Sequence, residues 1–185
     1  MATAPNDDRS SGWRTSLAIN RPRDPLRHVT VAPARNGLGL FAARAFKPEQ
    51  TILKITGRVV HHRVLWKRRG STFAANCFRY GPQTYLDPGD HPARYLNHSC
   101  EPNAAIRKVN NQILMVAAAP IDPGDEVVFD YSTTIGDDDI WTMRCNCGES
   151  TCRGRIKRFG SLPRAVKERY LAGGLVPKYI VATLD

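Results

Sequence analysis

The chain has no long hydrophobic run. Its longest apolar stretch, Ile113 to Ile121, covers nine residues, far short of the roughly 20 that a membrane-spanning helix needs. Residues 1–24 also lack the apolar centre of a secretory signal. Both absences point to a soluble, intracellular protein with no membrane partner. Acidic side chains are scarce: 17 Asp and Glu stand against 27 Lys and Arg, for a net charge of +10. A surface so basic is either simply solvated or favours polyanions, and the second case predicts nonspecific nucleic-acid association through counterion release. No internal repeat is found, which excludes a repeat array.

At 185 residues the chain has the length of one domain. Residues 1–24 are rich in Ser, Asp, Arg, Asn and Pro and read as a disordered N-terminal arm. From there the pattern is one of short β-branched or alternating runs between turn signals. His28–Ala32, Thr51–Val60 (interrupted at Gly57), Ser71–Phe78 and Gln83–Leu86 read as strands. Ala104–Val109 and Ile113–Ala119 read as a hairpin around Asn110-Asn111, and Asp125–Tyr131 as a further strand. His62–Gly70, with Trp66 among Arg63, Lys67, Arg68 and Arg69, reads as a short helix or an exposed loop. Ser161–Ala172 reads as a closing helix, capped by Ser161 and stopped at Gly173-Gly174. The fold class is therefore mostly β, built from several small sheets.

Five cysteines are present, and three of them, Cys145, Cys147 and Cys152, fall within eight residues as C-x-C-x4-C. Without a secretory context, clustered thiols indicate metal rather than disulfides. A closed tetrahedral zinc site needs a fourth ligand, and Cys100 or Cys77 is available to complete it. The densest chemistry lies in Tyr95–Asn103, which holds Asn97, His98, Cys100 and Asn103 within nine residues.

Three clusters precede the cysteines in fixed order. They are Gly37-x-Gly39; Arg94-Tyr-Leu-Asn97-His98-Ser-Cys100-Glu-Pro-Asn103; and Gly124-Asp-Glu126-Val-Val-Phe129-Asp130-Tyr131. With the Cys145–Gly154 segment, this order resembles the SET-domain protein lysine methyltransferases with a post-SET zinc segment. The similarity covers roughly residues 27–156. The resemblance implies small β-sheets around a knot-like crossing, where the Asn97–Cys100 segment meets the strand ending at Tyr131. It implies a SET domain at 25–142, a post-SET segment at 143–158 and a C-terminal helical extension at 159–185.

The resemblance also assigns roles. Tyr131 matches the catalytic tyrosine. Asn36, Gly37, Leu38, Gly39, Leu40, Arg94, Asn97, His98 and Met143 match positions around S-adenosyl-L-methionine. Ile55, Phe73, Phe129 and Tyr131 match the substrate channel. Cys100, Cys145, Cys147 and Cys152 match four thiolate ligands of a structural zinc, which leaves Cys77 a buried thiol. The implied reaction is in-line methyl transfer from a sulfonium to a neutral lysine amine, which needs orientation, shielding from water and a lowered lysine pKa. The implied partner is a protein with a basic, lysine-containing tail or loop, of a histone or histone-like kind. Phe129 stands where a tyrosine favours a single methylation, so di- or trimethylation is expected. The acidic run Asp137–Asp139 is expected either to attract such a tail or to be a solvated loop.

Overall fold

The computed structural model describes residues 25–139 and 141–184, so the arm expected at 1–24 lies outside the described residues. In chain order the strands are β1 (Val29–Ala34), β2 (Gly37–Ala42), β3 (Thr51–Ile55), β4 (Arg58–His61), β5 (Phe78–Gly81) and β6 (Thr84–Asp87). They continue as β7 (Asn97–His98), β8 (Ala104–Val109), β9 (Gln112–Ala117), β10 (Val128–Phe129), β11 (Met143–Arg144) and β12 (Arg155–Ile156). The helices are α1 (His62–Lys67), α2 (Thr72–Asn76), α3 (Arg164–Ala172) and α4 (Lys178–Val181). Among the described residues these form five small sheets: β1-β2, β3-β9-β8, β4-β6-β5, β7-β10 and β11-β12. All pair antiparallel except β7 and β10, which run parallel with Asn97 opposite Val128 and His98 opposite Phe129. That pair joins the two motif segments where the resemblance implied a crossing.

The main core packs the β1-β2 hairpin and the β3-β9-β8 sheet around Leu40, Phe46, Ile106, Met115 and Ile121, all essentially inaccessible. Burying an apolar side chain of this size contributes about 1.5–3 kcal/mol. The β8-β9 hairpin turns at Asn110 and Asn111 as expected. Both residues take positive φ (47° and 59°), the conformation of a two-residue turn whose twist matches the flanking strands. Two smaller cores sit at the C-terminal side. One gathers Phe159, Leu162, Tyr170, Val176 and Ile180; the other gathers Cys100, Ile135, Cys145 and Ile156.

Four expected elements come out differently. Thr51–Val60 is two strands in two sheets, because the chain turns at Gly57. A side chain at Gly57 would strike the Asp87 carbonyl, so only glycine lets the backbones meet there. Ser71–Phe78 is not a strand: Thr72–Asn76 is helical, with the Ser71 hydroxyl accepting from Ala74 N–H as a cap. The strand expected at Asp125–Tyr131 shrinks to Val128–Phe129. Asp130 ends it by capping a tight turn over Tyr131–Thr134, its Oδ1 accepting from Ser132 N–H at 3.0 Å. The closing helix begins at Arg164 after Pro163 rather than at Ser161. It does stop at Gly173-Gly174, where Gly173 N–H bonds Arg169 O and Leu175 N–H bonds Tyr170 O.

Candidate active site and metal centre

Tyr131 lies two residues past the end of β10, after Asp130, and is fixed from both ends. Its N–H donates to His98 Nδ1 (3.2 Å) and its hydroxyl donates to Leu96 O (2.5 Å). Its ring sits between Phe129 (4.8 Å), His98 (5.3 Å) and Trp141 (6.3 Å). Burial, and next the Glu126 carboxylate, raise the pKa of the phenol above its ordinary value. The hydroxyl is therefore neutral near pH 7. With its proton held by Leu96 O, it is an acceptor and an orienting group rather than a base.

Two cavities lie near this segment, the larger against the Tyr131 ring and the smaller against its neighbour His98. The larger, about 910 Å³, is lined by Phe129, Tyr131, Arg94, Trp141 and Met143, with residues of α1 and α2 on its far wall. The smaller, about 280 Å³, is polar and includes Arg35, Asn36, Asn97, His98, Glu126 and Glu149. Asn36 reaches both. It lines the polar cavity and exchanges amide hydrogen bonds with Asn146 of the cysteine segment at 3.0 and 3.3 Å. Asn97 spends its amide protons on Leu38 O (3.0 Å) and Glu126 Oε1 (2.7 Å), which leaves its oxygen free to accept. Gly39 has its reason here, since a side chain on it would collide with Glu126 Oε1 and Ala34. Gly37 takes φ 90° at the β1-β2 turn. Leu38 and Leu40 line neither cavity: Leu38 is exposed and Leu40 lies in the core.

Two residues expected in the channel stand elsewhere. Ile55 is buried in β3 opposite Ile113 and faces neither cavity. Phe73 is on α2 with the Arg68 guanidinium over its ring, again outside both linings. The expected acidic groove is also occupied. Asp138 and Asp139 pair with Arg79 of β5 at 2.7 and 2.6 Å, Tyr85 hydroxyl bonds Asp139, and Arg158 lies 3.8 Å from Asp137. The chain's own arginines meet this charge.

Two residues without an assigned role in the sequence reading, Glu126 and Asp130, hold the site together. Glu126 ties Asn97 to the glycine hairpin. Asp130, only 1% exposed, accepts from Arg153 (2.6 Å) and from the Tyr170 hydroxyl of α3 (2.9 Å), and lies 3.5 Å from His98 Nδ1. The C-terminal helix is thus bonded to the residue beside Tyr131. Asp130 was visible beside Tyr131 in sequence, but its partners lie 23 and 40 positions away.

The thiols form the second centre. Among the described residues, the donor atoms of His98, Cys100, Cys145 and Cys147 lie within 4.8 Å of one another. Cys152 is outside that tight group, yet its thiol interacts with those of Cys145 and Cys147. Cys100 and Cys145 Sγ are 3.8 Å apart, and zinc–sulfur bonds of about 2.3 Å at tetrahedral angles put sulfurs about 3.8 Å apart. Each of the four thiols accepts a backbone N–H: Cys100 from Arg153, Cys145 from Cys147, Cys147 from Glu149 and Cys152 from Gly154. Such bonds favour the thiolate. Burial opposes ionisation of Cys147, but these bonds outweigh it and bring its pKa down to about 7. His98 Nδ1 is committed to Tyr131, and its Nε2 approaches Cys100 Sγ at 3.4 Å. The donor set fits a structural zinc on Cys100, Cys145, Cys147 and Cys152, with His98 packed against it. Cys77 stands apart on the other side, its thiol pushed up to about 12 by burial.

Comparison with known proteins agrees with this geometry. Residues 37–132 match the SET domain family model. Histone-lysine N-methyltransferase set-2 of Caenorhabditis elegans is 30% identical over 151 residues, covering 75% of this chain and 10% of that protein. The H3 lysine-4 specific histone-lysine N-methyltransferase of Cryptococcus neoformans is 31% identical over 153 residues, with the same shares. The human histone-lysine N-methyltransferase 2D is 29% identical over 137 residues, 68% of this chain and 2% of that one. The chain thus spans about a tenth or less of these relatives. Among solved structures, KRYPTONITE in complex with mCHG DNA and SAH aligns with a TM-score of 0.54 at 22% identity, over 70% of this chain and 29% of that one. The family match over residues that include Asn97, His98 and Tyr131, together with the shared fold, places this chain in the SET-domain family.

Proposed function

We propose that the chain is an S-adenosyl-L-methionine-dependent protein-lysine N-methyltransferase that di- or trimethylates a lysine on a histone or histone-like protein. The observation that carries this reading is the position of Tyr131, whose ring lines the large cavity and packs against His98 of the polar one, with its hydroxyl proton already committed. The names of the relatives support it, as do the SAH and H3 peptide bound to KRYPTONITE. The polar cavity offers an arginine, amides and carboxylates, a donor set suited to a ligand that carries both an amine and a carboxylate. Bound there, S-adenosyl-L-methionine would supply a methyl group on a cationic sulfur.

The chain's own residues do the rest. Leu96 O fixes the Tyr131 hydroxyl, whose oxygen lone pairs face the reacting region. The aromatic wall of Phe129, Tyr131 and Trp141 excludes water. Desolvation there lowers the pKa of a lysine and favours its neutral amine. Phe129 brings no hydroxyl to anchor water or the amine, which leaves space for an already methylated nitrogen. Ile55 lies in the core and takes no part in the cavity wall. A substrate in chromatin or a nucleoid suits the basic chain.

The test is mass spectrometry of core histones and bacterial histone-like proteins incubated with the protein and excess cofactor. Di- or trimethyl-lysine is expected. Phe129→Tyr is expected to shift the product toward monomethyl-lysine. Monomethyl product alone from the wild type would refute the multiplicity, and cofactor binding without any modified lysine would refute the substrate class.

A further inference from the structure

We propose that the arm formed by α1 and α2 is a docking surface for duplex DNA. The inference stands independently of the methyl-transfer reading. Between Glu49 and Asp87 the sequence holds no acidic residue, while it carries Lys54, Arg58, Arg63, Lys67, Arg68, Arg69 and Arg79. Two of these cations are spoken for, Arg58 by Asp87 and Arg79 by Asp138 and Asp139. Arg63, Lys67, Arg68 and Arg69 are exposed and have no carboxylate partner among the described residues. They crowd onto one helix and the turn after it.

The charge is not there to serve packing. Neither α1 nor α2 has a fully buried residue, and none of the four exposed cations takes part in the core, so core stability does not dictate their charge. Four unpaired cations on so short an element repel one another by Coulomb's law, and the arrangement is relieved by an external polyanion. A phosphate backbone is such a polyanion, with one charge per roughly 1.7 Å of duplex axis. Arg63 and Lys67 are four positions apart and share a helix face. Arg69 is held by Trp66 O (3.2 Å), with its guanidinium 5.0 Å from the Trp66 ring.

A duplex is favoured over a single strand. Single-strand binders use several free aromatic platforms for stacking. This patch has one exposed ring, Trp66, already faced by Arg69. A duplex is also favoured over an anionic membrane, because interfacial helices need a sizeable apolar face. The six-residue α1 offers only Val64 and Trp66 as large exposed apolar groups. Trp66 and Arg69 also line the large cavity beside Tyr131, so bound DNA would lie at the rim of that cavity. A lysine presented there would come from a protein on the same DNA.

The test is fluorescence anisotropy of a labelled 20-base-pair duplex titrated with the full chain at several salt concentrations. One variant changes Arg63, Lys67, Arg68 and Arg69 to Gln. A control changes Lys47, Lys157, Arg164 and Lys178 to Gln, so both lose the same net charge. The arm variant is expected to bind at least about tenfold more weakly, with the slope of log K against log salt falling by about 3–4. The control is expected to keep most of both. A third protein, with Arg63, Arg68 and Arg69 changed to Lys, keeps the charge and is expected to keep binding, whether or not the Gln variant folds well. Equal losses in arm variant and control would overturn the proposal, as would loss of binding in the Lys variant. So would no duplex binding at 50 mM salt, or tighter capture by phosphatidylserine vesicles or single-stranded DNA than by the duplex.

Discussion

The crossing at β7 and β10 and the arm of α1 and α2 are built on opposite principles. At the crossing, polar groups are buried or half-buried and most are bonded to one another. Asp130 alone holds Ser132 N–H, Arg153 and Tyr170, and Asn97 holds Leu38 and Glu126. In the arm no residue is buried and four cations have no carboxylate partner among the described residues. The difference separates two kinds of information. A buried polar network has few alternatives, since any unpaired member costs the full desolvation of its group. An exposed arm is nearly free to vary as far as stability goes, so its composition reports on what it meets outside.

That contrast can be broken by substitution. The largest stability effect is expected for Asp130→Ala. It strands the half-buried Arg153 and leaves the buried Tyr170 hydroxyl only its longer bond to Cys100 O (3.4 Å), and removing one partner of a buried pair costs about 3–5 kcal/mol. Denaturant unfolding measures it, and a loss below about 1 kcal/mol would mean that the network is not holding the C-terminal helix to the site. Tyr170→Phe removes only the hydroxyl bonded to that carboxylate and should cost about 1.5–3 kcal/mol, read in the same way. Gly39→Ala drives a methyl into Glu126 and Ala34. Overpacking of this kind costs about 1–3 kcal/mol, and because the collision displaces Glu126 from Asn97, cofactor affinity by calorimetry should fall with it. The smallest effect belongs to the arm. Each single change of Arg63, Lys67 or Arg68 to Gln should move stability by no more than about 0.5 kcal/mol, and a larger shift would mean that the arm is part of the fold after all.

The grouping of the candidate site's central residues was legible in the sequence; several of the elements that carry them were not. Asn97, His98, Cys100, Phe129 and Tyr131 sit in two short segments, which the parallel pairing of Asn97–His98 with Val128–Phe129 brings side by side. The Asn110-Asn111 turn was readable because only a few residue types tolerate positive φ at two successive positions. The helix at Thr72–Asn76 was not, since five residues give too little periodicity to tell helix from strand. The ends of β10 and α3 were set by Asp130 and Pro163, local stops that a hydrophobic pattern does not contain. Ile55 and Phe73 were placed by analogy with channel positions, but their own packing took one into the core and the other onto α2. The pairing of Asp138 and Asp139 with Arg79 spans about 60 positions, and no local signal marks it. Glu126 and Asp130 were visible as residues but not as hubs, for the same reason.

The most direct test of the central claim is transfer of labelled methyl from S-adenosyl-L-methionine to core histones by the wild type and by Tyr131→Phe. The variant loses one hydrogen bond, to Leu96 O, so it should stay folded at a cost of about 1 kcal/mol. The account predicts labelling by the wild type and a loss of at least about a hundredfold in the variant, the scale on which removing a positioned catalytic hydrogen-bonding group is felt. Equal labelling by both proteins would contradict it, because the reacting atoms would then lie somewhere other than beside Tyr131.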